Sequence, residues 1–193
     1  MSSAANRPRV GVLAVQGAFA EQEKSFQAAG ADTFEIRELA DIARPFDALV
    51  LPGGESTVQG KLLKDLGLFA PLKERIAAGL PTFATCAGLI LLAEKLAGDP
   101  TVWFGELAVT VARNAYGRQL GSFIARGAYG ALQDVPMTFI RAPRIEAVGP
   151  GVETLSTHAG SATAVRQGAI TALAWHPELT ADTRVFHDFL ARL

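Results

Sequence analysis

"FATCAGLILLAEKLAG", residues 83–98, joins a buried apolar run to a helical pattern through the only cysteine of a 193-residue chain. The approach, "LPTFATC" (80–86), reads as a strand without a polar face, as strands buried on both sides do. "AGLILLAEKLAG" (87–98) reads as the helix that follows. Ala84 and Gly88 stand two positions to either side of Cys86. Small-x-nucleophile-x-small is the layout of a nucleophile elbow. Only small neighbours let the chain turn so sharply, and the turn pushes the central side chain out above the sheet edge.

The same alternation runs outward toward the N-terminus. "RVGVLAV" (9–15) reads as a first strand, and "AFAEQEKSFQAAG" (18–30) as a helix that stops at Gly30. "DTFEIRE" (32–38) is a short second strand and "FDALVLPGG" (46–54) a third. "TVQGKLLKDLGLFAPLKERIAAG" (57–79) supplies one or two helices before the strand that leads to Cys86. This order predicts an α/β fold, a doubly wound and mainly parallel sheet with helices on both faces. After Pro100 the texture changes. "WFGELAVTVARNAYGRQ" (103–119), "MTFIRAPRI" (137–145) and "GSATAVRQGAITALAWH" (160–176) are rich in β-branched residues, with glycine and proline turns. They are expected to add strands with mostly antiparallel connections to the parallel core. "TRVFHDFLARL" (183–193), apolar at Val185, Phe186, Phe189 and Leu193, suits a closing amphipathic helix. One domain over residues 9–193 is expected, after a disordered segment of about eight residues.

Composition narrows the function. Eighteen basic and nineteen acidic residues leave a net charge of −1, with no run of like charge. That balance argues against a nucleic-acid or anionic-membrane partner. The apolar runs fall short of the ~18 residues a spanning helix needs. The N-terminus imitates a signal peptide, but Gln16 interrupts its apolar stretch, and a buried first strand is the better reading. A lone cysteine makes no internal disulfide, so nothing indicates an oxidising compartment, and a cytoplasmic chain is expected.

On its own segment Cys86 has two readings, a nucleophile or a buried structural thiol. A helix N-terminus favours an anion, and thiol pKa values there fall from about 8.5 into the range ~3.5–7.5. A nucleophile also needs a base and a group to orient that base. Of the three histidines, His187 sits within the closing helix, and His158, in "LSTHAGS" (155–161), within what looks like a surface turn. His176 instead ends an apolar strand and opens "HPE". Pro177 fixes the backbone there, and Glu178 is near enough to hold the imidazole N–H. Strand ends at the carboxyl edge of a parallel sheet are where open α/β folds bind ligands.

A third element, "LPGGEST" (51–57), directly follows a strand. The Lys-Ser/Thr of a phosphate loop is missing, and "VLAVQGAFAEQ" (12–22) lacks the three glycines of a dinucleotide site. An oxyanion hole remains, with the N–H groups of Gly54 and Ala87 holding a developing negative oxygen. There is no Cys-x-x-Cys and no His-x-His, so no metal and no cofactor is expected.

Taken together, "GVLAVQGAF" (11–19), "LPGGEST", "TCAGLILLA" (85–93), "RNAYGRQ" (113–119), "FIRAPRI" (139–145) and "HPELTADTRV" (176–185) closely resemble one family. It is that of the glutaminase subunits of pyridoxal 5′-phosphate synthase, among the class I (triad) glutamine amidotransferases. The match runs from about Arg9 to the C-terminus. "RNAYGRQ" and "FIRAPRI" are not expected in other amidotransferases. Ala84 stands where the family usually has glycine, Ala112 where it has glutamate, and "VWFGELAV" (102–109) differs around its glycine.

The resemblance implies release of ammonia from L-glutamine through a Cys86 thioester, with His176 and Glu178 as the rest of the triad. It places glutamine on Gly54, Glu55, Ser56, Arg113, Ile140 and Arg141. The ammonia goes to a separate synthase subunit, because nothing in the chain suits ribose phosphate or ring construction. The Gly53–Gly54 peptide is the candidate gate, with Gln16 coupling it to the partner. The alternatives are another elbow-cysteine hydrolase, a non-catalytic homologue, or a glutaminase subunit serving a different synthase.

Overall fold

The structure is a computed structural model that describes residues 7–113 and 121–193. Its frame is laid down by four strands, three of which lead directly into a helix. Strand β1 (Arg9–Leu13) leads to helix α1 (Phe19–Ala28), β2 (Asp32–Ile36) follows, and β3 (Ala48–Leu51) leads to α2 (Ser56–Asp65) and α3 (Phe69–Ala77). Strand β4 (Thr82–Thr85) then turns at Cys86 into α4 (Ala87–Leu92).

The strands after Pro100 are β6 (Leu107–Ala112), β7 (Ser122–Tyr129), β8 (Leu132–Ile140), β9 (Arg144–Val148), β10 (Glu153–His158), β11 (Ser161–Gln167) and β12 (Ile170–Leu173). Helix α5 (Arg184–Leu190) closes the chain. The main sheet has the order β10-β11-β12-β4-β3-β1-β2. The run β12-β4-β3-β1-β2 is parallel throughout, and β10 and β11 extend its edge antiparallel. This is the doubly wound α/β architecture the sequence predicts. The order β2-β1-β3-β4 leaves a switch point between β1 and β3, where the loops diverge and ligands bind.

Why both faces are covered follows from the two-residue period of the strands. Leu13, Leu49, Leu51 and Ala84 face one apolar cluster with Leu63 of α2, Leu72 of α3 and Leu89 of α4. Val10, Val12, Ala48, Val50 and Phe83 face the other, with Phe26 of α1 and Phe186 and Phe189 of α5. Phe26, Phe83, Phe186 and Phe189 pack with ring centroids 5.0–5.9 Å apart.

Three expectations need correction. The helix after Cys86 ends at Leu92, and the chain continues as strand β5 (Ala93–Leu96) rather than on to Gly98. Its Ala93 and Leu96 are buried while Glu94 and Lys95 are exposed, and it pairs with β6. Pairing with a strand formed later in the chain overrides the local helical signal. Second, not all late strands join the core sheet: β5-β6-β9 and β7-β8 form two separate small sheets. Third, Val185, Phe186 and Phe189 of α5 are buried, but Leu193 lies beyond the helix and is exposed.

Candidate active site

Four loops at the carboxyl ends of β1, β3, β4 and β12 converge, because the strand register leaves them level. Leu51 pairs with Ala84, and Thr85 pairs with Leu173. Pro52–Gly53 therefore emerge on one side of Cys86, and the chain running to His176 emerges on the other. The Cys86 N–H is tied to the Leu173 carbonyl at 2.8 Å.

Cys86 has φ 49° and ψ −100°, a left-handed backbone for a residue with a Cβ. Such strain costs on the order of 1–3 kcal/mol and persists only where the surroundings enforce it. Gly88 is part of that enforcement. A Cβ there would lie 2.2 Å from the Leu51 carbonyl oxygen, so only glycine lets the elbow pack against the end of β3. Cys86 is 8 % exposed, open to the cleft alone. The Ala87 N–H opens α4, where the first amides have no partner within the helix.

His176 is seated by its own N–H, which donates to the Thr138 carbonyl at 2.8 Å. Its ring Nδ1 lies 2.7 Å from Glu178 Oε1, and the Glu178 side chain is fully buried. Pro177–Leu179 form a 3₁₀ turn, which carries Glu178 back beneath the ring. Burial pulls the His176 pKa down, but the adjacent Cys86 sulfur and the Glu178 carboxylate outweigh it and push it up to about 10. Cys86, His176 and Glu178 thus form one buried, linked set, able to pass a proton between sulfur and imidazole.

Gly53 and Gly54 lie against this set, and their lack of side chains is required by contact. A Cβ on Gly53 would come within 2.4 Å of His176 Cε1, and one on Gly54 within 2.4 Å of Gln16 Oε1. The Gly53 carbonyl accepts the Ala18 N–H at 2.9 Å. With the Gly53–Gly54 peptide trans, the Gly54 N–H points opposite to that carbonyl. Gln16 Oε1 accepts the next amide, that of Glu55, at 2.9 Å.

A cleft of about 360 Å³ opens over Cys86, at the lower end of the usual range for small-ligand sites. Every residue the resemblance assigns to glutamine or the gate lines it: Gln16, Gly53, Gly54, Glu55, Ser56, Arg113, Ile140 and Arg141. Arg141 Nη2 is 3.8 Å from Glu55 Oε1 across the mouth, and both side chains are mostly exposed. Arg113 donates to Thr57 Oγ1 at 2.9 Å and pairs with Asp99. The rest of the "RNAYGRQ" motif, 114–119, lies outside the described residues.

The other histidines stand apart from this set. His187 is exposed on α5. His158 corrects the turn assignment: it ends β10, and its ring packs 5.2 Å and 5.5 Å from those of Phe123 and Phe139. Sequence reasoning also missed Gln22, Gln59 and Thr85, buried polar residues that hold the Pro52–Gly54 loop from beneath. They carry no local signal, since a lone threonine in a buried strand resembles any other.

A mainly parallel sheet with a cysteine elbow at its carboxyl edge is the architecture of the class I glutamine amidotransferases. A crystal structure of a glutamine amidotransferase superposes with a TM-score of 0.89 at 39 % identity, over 95 % of this chain and 99 % of that one. A second, from Thermotoga maritima, has a TM-score of 0.62 at 15 % identity, over 97 % and 91 %, and speaks to the fold alone. The chain belongs to the SNO glutamine amidotransferase family, whose profile matches residues 12–193. It is 56 % identical over 182 residues to the pyridoxal 5′-phosphate synthase subunit PdxT of Desulfitobacterium hafniense, covering 94 % of this chain and 92 % of that one. With PdxT of Bifidobacterium adolescentis it shares 46 % identity over 205 positions, covering 94 % and 99 %.

Proposed function

We propose that this chain is the glutaminase subunit of a pyridoxal 5′-phosphate synthase, hydrolysing L-glutamine to glutamate and ammonia and passing the ammonia to a separate synthase subunit. The observation that carries the reading is the buried Cys86–His176–Glu178 set at the foot of a cleft, in a chain so similar to PdxT proteins.

In this reading the Cys86 sulfur attacks the side-chain amide carbon of glutamine. The carbonyl oxygen, now negative, is held by the N–H groups of Gly54 and Ala87. His176 protonates the departing ammonia, leaving a thioester, and then takes a proton from the water that cleaves it. Glu178 keeps the imidazole oriented and stabilises its charged form. Arg113 and Arg141, cationic and at the mouth, suit the α-carboxylate of glutamine, and Glu55 its ammonium group. The near-neutral chain and the lack, among the described residues, of a helix long and apolar enough to cross a membrane accord with work in the cytoplasm.

The Gly53–Gly54 peptide serves as a gate. Rotation about it exchanges an N–H for a carbonyl at the oxyanion position, and the present rotamer is held by the Ala18 N–H. Contact of a synthase subunit with the Gln16–Ala18 segment is what releases it. The experiment is glutamate release by the chain with and without its synthase subunit, alongside formation of pyridoxal 5′-phosphate. Glutamine-supported synthesis by the pair is expected. A pair that uses added ammonium but never glutamine would contradict the reading.

A further inference from the structure

Thr85 immediately precedes the nucleophile, and its side chain is completely buried. Its Oγ1 accepts the Gly53 N–H at 3.0 Å and meets Gln22 Nε2 at 3.0 Å. Gln22 is also completely buried, on α1, 63 residues away in sequence. Whichever way the Gln22 amide is turned, the contact with a hydroxyl survives, since a hydroxyl both donates and accepts. The Gly53 N–H can only donate, so the role of Thr85 towards it is fixed.

The neighbouring carbonyl is held as well. Gln59 Nε2 donates to the Pro52 carbonyl at 3.1 Å and to the Gln16 carbonyl at 3.0 Å. Both polar groups of the peptide between Pro52 and Gly53 are thus tied to buried side chains. The next peptide, between Gly53 and Gly54, is held through its carbonyl by a single backbone N–H, that of Ala18. A fixed peptide followed by a lightly held one makes a hinge whose pivot is Gly53.

We propose that Thr85 and Gln22 are positioning residues for glutamine hydrolysis, fixing the peptide before the gate so that the Gly53–Gly54 peptide alone rotates into the oxyanion position. The inference rests on the proposed function. Thr85 is suited to the task because it belongs to the same turn as Cys86: one residue sets the level of the sulfur and of the loop that must meet the oxyanion. Gln22 lies one helical turn beyond Ala18, whose carbonyl accepts the Gln22 N–H at 3.2 Å. A shift of α1 therefore moves the pivot contact and the Ala18 contact together.

The test uses the full chain assembled with its synthase subunit, with L-glutamine as substrate. Thr85→Val keeps the shape and removes the acceptor. It is expected to lower kcat for glutamate release by about 10- to 100-fold, as misplacement of an oxyanion donor does. KM should stay within about 3-fold, since glutamine binds at the mouth. Thr85→Ser, which restores the hydroxyl, should recover the rate, and Gln22→Met should lower kcat in the same direction as Thr85→Val. Wild-type kcat in both Thr85→Val and Gln22→Met, a loss confined to KM, or a Thr85→Ser variant as slow as Thr85→Val would each overturn the inference. Cys86→Ala is measured beside them. If it is inactive while Thr85→Val is normal, the positioning role alone fails. If it still hydrolyses glutamine, the proposed function fails.

Discussion

Glu178 reaches His176 Nδ1 at 2.7 Å from a position wholly sealed from solvent. A buried carboxylate this close fixes which ring nitrogen faces Cys86 and favours the charged imidazole. Glu178→Gln keeps the shape and removes the charge. We expect kcat for glutamine hydrolysis to fall about 10²- to 10⁴-fold, and the thermal midpoint to drop as well, since the buried imidazolium loses its charged partner. Steady-state glutamate release by the assembled complex checks it. A variant with near-normal kcat would mean that the carboxylate only fills space.

The electrostatics of His176 make a separate prediction. Its pKa is raised from 6.5 to about 10, burial opposing the shift and Cys86 and Glu178 imposing it. Between those values the folded chain binds more protons at this site than the unfolded chain does, so stability falls as pH rises. The contribution of His176 is complete below about 6.5 and lost as pH passes about 10. Nitrogen-15 NMR of the imidazole should show it still protonated at pH 8, and Cys86→Ala should lower its pKa by removing one of the two contacts that raise it. A ring that titrates near 6.5 in the unaltered chain would contradict this account.

The histidines can be told apart by substitution. His176→Ala should cost at least 10²-fold in rate, the low end for a positioned general base. His158→Ala removes a ring packed on Phe123 and Phe139, so it should lower the thermal midpoint while leaving kcat near normal. His187→Ala, on an exposed face of α5, should alter neither. Comparable loss of kcat at His158 would move the base elsewhere.

How far these features were legible in the sequence depends on their range. The elbow was legible because Ala84, Cys86 and Gly88 satisfy a rule written within five residues, whereas the register of β3, β4 and β12 is set by pairing between segments far apart in the chain. His-Pro-Glu was legible for the same reason. The end of α4 was not. "AEKL" favours a helix locally, and only pairing with β6, formed later in the chain, makes it a strand. His158 looked like part of a turn because its aromatic neighbours come from β7 and β8. The arginines at the cleft were reached through family resemblance alone; an arginine beside a strand carries no mark of its ligand. Thr85 and Gln22 had no such help.

Gln16 is bonded through Oε1 to the Glu55 N–H, one peptide beyond the gate. If it transmits partner binding, the isolated chain is a poor glutaminase, and the synthase subunit stimulates it by the 10²- to 10³-fold that one oxyanion donor contributes. Gln16→Ala should lose most of that stimulation while its basal rate stays similar. Equal rates with and without the partner in the unaltered chain would remove the gate. Full stimulation of Gln16→Ala would leave the gate but take Gln16 out of it.

The central claim is that Cys86 attacks glutamine and that its ammonia supplies a second subunit. The most direct test is synthesis of pyridoxal 5′-phosphate by the complex carrying Cys86→Ala, with either L-glutamine or ammonium as the nitrogen source. The account predicts no synthesis from glutamine and undiminished synthesis from ammonium. Synthesis from glutamine at the unaltered rate would show that Cys86 is a structural thiol, and would contradict the mechanism at its first step.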